Sequence, residues 1–90
     1  MKAEELVEEL QEIARQIGVT VRFEKGDFEG GYCLLRDQRL VLINKRLMPS
    51  RKASLLALAL QSIGMETIFL KPALRQYIED EAVKAEREAR

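Results

Sequence analysis

Cys33 is the only thiol in a chain of 90 residues that has no His at all. A cysteine nucleophile needs a base or a local field that lowers its pKa. Imidazole, the commonest such base and the commonest zinc ligand, is missing. Cys33 also sits between Tyr32 and Leu34 in a strand-like run, where a small free cysteine is expected as a buried structural residue. Glu24, Asp27 and Glu29 cluster around Gly26. Paired carboxylates can do acid–base work when their surroundings separate their pKa values. They can also hold a cation, but the regular oxygen spacing of a calcium loop is absent, so a solvated turn is expected. An enzyme built on Cys33 and these carboxylates needs a pocket joining Cys33 to Glu24 or Glu29.

The basic side chains form the other candidate set. Arg36, Arg39, Lys45, Arg46, Arg51 and Lys52 fall within residues 34–52 beside one acid, Asp37, whereas residues 1–18 hold five acids and two bases. The whole chain balances at zero net charge. A basic segment at a helix entry can grip phosphates together with free backbone N–H groups. An isoelectric point near 6.3 and the lack of interleaved aromatics argue against a nucleic-acid binder. The basic segment and the acidic first helix can equally attract one another, within the fold or between copies. Gly30-Gly31 has no following Lys-Ser/Thr and no strand–glycine–helix order, so it is no phosphate loop. A bulge, a tight bend or a close backbone approach is expected there instead.

The elements that position these residues follow from periodicity. Leu6, Leu10, Ile13 and Ile17 predict a helix over 2–17, with Glu residues favouring its first turns and Gly18 closing it. Val19, Val21 and Phe23 alternate with polar residues as in a half-buried strand. Tyr32 to Leu35 predicts a second strand, and Asp37-Gln38 a hairpin tip. Leu40-Val41-Leu42-Ile43 is apolar at consecutive positions, which predicts a third, central strand covered on both faces. Ser50 is a candidate cap for a helix running to about Ile63, ended by Gly64. That helix is apolar nearly all round and belongs in the middle of the molecule. Thr67 to Leu70 reads as a short strand or an extended link. Pro72 opens a last helix, whose apolar face is Leu74, Tyr77, Ile78 and Val83. Its charged tail over 85–90 is expected to fray.

One stretch resembles a known family. Gly31-Tyr32-Cys33 leads through a basic hairpin to Leu42-Ile43-Asn44, then Leu47, then Leu55 to Gly64. This is similar to the small zinc metallopeptidases of the ImmA/IrrE type, in which a short sheet precedes a helix carrying His-Glu-x-x-His. Matching Asn44 to the family's turn places the motif at Leu58, Ala59 and Ser62, so the two His and the Glu are all replaced. The resemblance, over about residues 28–64, implies a zincin-like scaffold without its metal, and no site residue carries over. The layout also resembles that of many short bacterial proteins.

The sequence thus predicts one α+β domain over 1–90: an N-terminal helix, a three-stranded antiparallel meander, a buried Leu-rich helix and a C-terminal helix. The longest uncharged stretch, Ala53 to Met65, has thirteen residues, short of the roughly eighteen a membrane span needs. With no signal-like start and one Cys, a cytoplasmic setting is expected. The expected function is non-catalytic protein binding, by self-association into a homodimer or by capture of another protein, without cofactor, metal or membrane. The alternative is an acidic ligand or nucleic acid on the 36–52 segment.

Overall fold

The computed structural model describes residues 1–65 and 68–89. The elements follow in the order α1 (Ala3–Gln16), β1 (Val19–Glu24), β2 (Gly30–Leu35), β3 (Gln38–Asn44), α2 (Pro49–Ile63) and α3 (Pro72–Glu88). The class is α+β, and no described helix is long and apolar enough to cross a membrane.

The sheet is mixed, which corrects the expected antiparallel meander. Its strand order is β1-β3-β2; β1 runs parallel to β3, and β2 antiparallel to it. A meander would have put β2 in the middle. The Leu40–Ile43 run accounts for the difference. Four consecutive apolar residues lose most water when flanked on both edges, and Val41 and Ile43 are wholly buried. A strand containing Gly30-Gly31 has less to bury and is left outside.

This order requires the chain to cross from β1 past the end of β3 before β2 begins. Asn44 holds that crossing. Its Nδ2 donates to the carbonyls of Gly26 (2.9 Å) and Phe28 (2.7 Å), and its Oδ1 accepts from the Arg46 N–H (3.0 Å). The Asn44 N–H itself donates to the Glu29 carbonyl at 2.8 Å.

The helices cover one face of the sheet. Leu10, Ile13 and Ala14 of α1 and Ala53, Leu56, Ala57 and Leu60 of α2 enclose Val19, Val41 and Ile43. As expected of its apolar surface, α2 is central, packing on α1, α3, β3 and β2, while α3 packs on α2. Pro49 at the first turn starts α2 one residue before Ser50, and Met48 takes the cap position with no side-chain hydrogen bond. Gly18, with φ +76°, closes α1 in the left-handed region.

The hairpin tip is Arg36-Asp37, one residue earlier than expected. Both residues have positive φ (50° and 67°), as a two-residue type I′ turn requires. Thr67 of the expected 67–70 strand lies outside the described residues, and Ile68 to Leu70 is irregular. Helix α3 extends to Glu88, through residues whose fraying the sequence suggests.

Candidate functional site

Strand pairing sorts the sheet residues by face. Tyr32 lies opposite Val41 and Gly30 opposite Ile43, on the helix-covered face. Gly31, Cys33 and Leu35 lie opposite Leu42, Leu40 and Gln38, on the face that no helix covers. On that face Leu40 is buried, yet it stands outside the main core, with Thr20 and Cys33 as its strand partners.

All six residues of β2 are exposed. Leu34 is 65% exposed, Leu35 57% and Tyr32 40%. Cys33 is exposed too, which corrects its expected burial. The pattern around Cys33 is strand-like, but Cys33 lies on the face that no helix covers, in a strand with only one neighbour. Gly30 meets the close approach expected of it, since a Cβ there would stand 2.6 Å from the Leu42 carbonyl oxygen. Gly31 does not: nothing lies within 4 Å of where its Cβ would be.

The two edges of the sheet differ in chemistry. The β1 edge carries Arg22 and Glu24, paired at 2.8 Å. The β2 edge, Gly30 to Leu35, has no charge, no Pro and no break in its register. Charges, prolines and bulges are the usual devices that keep a strand edge from pairing with another chain. One edge of this sheet uses such a device and the other has none. β2 carries no catalytic or binding motif, and its uncharged composition is the one signal of this edge in the sequence.

The six basic candidates do not converge. Arg36 and Arg39 lie at one end of β3, and Lys45, Arg46, Arg51 and Lys52 follow the other end, about 20 Å away along a seven-residue strand. Several of them already have partners. Arg39 donates to the Ile17 carbonyl. Arg51 forms a two-nitrogen pair with Glu29, which holds that carboxyl below its ordinary value. Lys52 Nζ stands 5.7 Å from the centre of the Phe23 ring. It borders a shallow cleft with Glu4, Val7, Glu8, Gln11 and Pro49.

The acidic cluster is likewise dispersed among separate partners, Glu24 with Arg22 and Glu29 with Arg51, while Asp27 is exposed. Among the described residues, no three His, Cys, Asp or Glu side chains are grouped so as to hold a metal. Of the positions matched to the metallopeptidase motif, Leu58 lines a groove against α3, Ala59 is in the core, and Ser62 is exposed with its hydroxyl donating to the Ala59 carbonyl at 3.1 Å.

Among the described residues, the one buried carboxylate, Glu81, lies between α2 and α3. Burial pushes Glu81 up, but hydrogen bonds from Ser54 and Lys84 and the charge of Arg51 outweigh it, and its pKa lies below the ordinary value. Burial and the neighbouring Glu81 charge push the Tyr77 hydroxyl up to about 12. These groups join helix to helix. No family model, curated protein or solved structure matches the chain.

Proposed function

We propose that this is a non-catalytic protein-binding domain that takes its partner by strand addition at β2. The observation that supports this is the contrast between the two edges of one sheet: a charged β1 edge, and an uncharged β2 edge exposed along its whole length. Strand addition draws affinity from main-chain hydrogen bonds and selectivity from alternate side chains. Here the alternate side chains are Tyr32 and Leu34 on one face, and Cys33 and Leu35 on the other.

Selection from a displayed library of random decapeptides tests the reading. Selected peptides are expected to slow amide exchange over residues 30–35, and to lose binding when Leu34→Lys puts a charge on the edge. Peptides that bind without protecting β2, or that bind the Leu34→Lys variant equally well, count against it.

A further inference from the structure

We infer that the strand added at β2 is the β2 of a second copy, paired antiparallel about a two-fold axis with Cys33 facing Cys33. This rests on the strand-addition reading and specifies its partner.

The geometry restricts the registers. Two antiparallel strands related by a two-fold axis must have that axis perpendicular to the sheet. The helix-covered faces of both copies then lie on the same side, and each residue faces one of its own face. Either Tyr32 or Cys33 can therefore sit at the axis of a pairing centred on β2.

The Cys33 register is self-complementary. Tyr32 faces Leu34 of the other copy, joining two exposed apolar side chains. Leu35 faces Gly31 of the other copy, where nothing lies within 4 Å of the absent Cβ. Bulk thus meets open space. Beyond the strand, Arg36 and Asp37 of one copy fall level with Gly30 and Glu29 of the other. The hairpin turn carries both Arg36 and Asp37 towards β3 and away from the added strand. The Tyr32 register instead sets Leu35 against a Glu29 carboxylate and leaves Leu34 facing Gly30, whose Cβ position is already filled by the Leu42 carbonyl. Packing selects Cys33.

A six-residue strand pair covers less than the roughly 800 Å² per partner of a stable complex. The dimer is therefore weak and dynamic, and forms at high micromolar concentration. Facing residues in antiparallel strands have Cα atoms about 4.5–5.5 Å apart, within the roughly 4.4–6.8 Å that a disulfide spans. The thiols thus report the register when an oxidant is added.

Sedimentation equilibrium of the intact chain under reductant, from about 10 µM to 1 mM, reads the association. The mass is expected to rise towards twice that of the monomer. Leu34→Lys, at a site already in solvent, should weaken the association about tenfold or more while leaving the monomer's thermal melt unchanged. Diamide, which removes two electrons and two protons from a pair of thiols, reads the register. Disulfide dimers should form about tenfold faster through Cys33 than in the Leu34→Lys variant, or than through Tyr32→Cys in a Cys33→Ser background. Cross-linking through Tyr32→Cys as fast as through Cys33 would overturn the register. A monomeric mass up to 1 mM would overturn self-pairing, and the peptide selection would then judge strand addition by itself. A doubled mass that Leu34→Lys does not change would overturn both, because the contact would lie on another face.

Discussion

The side-chain amide of Asn44 donates to the Phe28 carbonyl at 2.7 Å, tying the end of β3 to the segment that leads into β2. A second bond, to the Gly26 carbonyl at 2.9 Å, holds the same crossing one turn earlier. These bonds fix the route by which β2 reaches the outer edge of the sheet. The exposed strand proposed as the binding edge therefore depends on a buried amide at the end of β3 beside which β2 begins.

Asn44→Ala leaves the Gly26 and Phe28 carbonyls without their partner. Loss of buried hydrogen bonds of this kind costs about 1–3 kcal/mol. Urea denaturation should show that loss. Amide exchange should show β2 opening before β1, because the crossing segment is what Asn44 holds.

The two adjacent glycines should respond oppositely to alanine. Gly30→Ala drives a Cβ against the Leu42 carbonyl, 2.6 Å away in backbone that cannot swing aside. Overpacking of this kind costs about 1–3 kcal/mol. Gly31→Ala meets open space, and lowering the freedom of the unfolded chain should stabilise by up to about 1 kcal/mol. Thermal melts of the two variants at low concentration check the pair.

Arg36 and Asp37 both occupy the left-handed region, which suits Asn and Gly better than Arg and Asp. The double substitution Arg36→Asn with Asp37→Gly should therefore raise stability by about 1 kcal/mol, as relief of such backbone strain does. The midpoint of chemical denaturation should move up with no change in its slope.

The net pKa of Glu81 is lowered in the folded state despite its burial. A carboxyl with a depressed folded pKa stabilises the fold above its unfolded value, and that contribution is lost as pH falls through the folded value. Stability should decline below about pH 4.5, the group's ordinary value. Glu81→Gln should flatten that decline and lower stability at neutral pH, where the charge is held by Ser54, Lys84 and Arg51. Denaturation midpoints measured from pH 3 to pH 7 for both proteins test this, and an unchanged pH profile would count against Glu81 as the titrating group.

Much of the fold was legible in the residues themselves. The spacing of Leu6, Leu10 and Ile13 specifies the buried stripe of α1. The unbroken apolarity of Leu40 to Ile43 marks β3 as central, and that of Ala53 to Leu60 marks α2 as the helix at the middle of the molecule. Gly18, Gly64 and Pro72 locate helix ends through backbone chemistry that is local to each residue.

The pairing of the strands was not legible in the same way. A hairpin between β2 and β3 follows from their short connection, but nothing local to β1 says which strand it joins. That choice lies in contacts between residues far apart in sequence, such as Val21 beside Val41 and Asn44 reaching back to Gly26. The same choice decided the environment of Cys33. Its neighbours Tyr32 and Leu34 specify a strand. Whether that strand is buried or exposed depends on which elements lie over it, and α1 and α2 spend their apolar surface on the other face and on β3. Sequence periodicity fixes which residues share a face, because that is set by the geometry of one strand. Only the tertiary structure decides which faces and edges are left open, because that depends on where every other element has found something to bury.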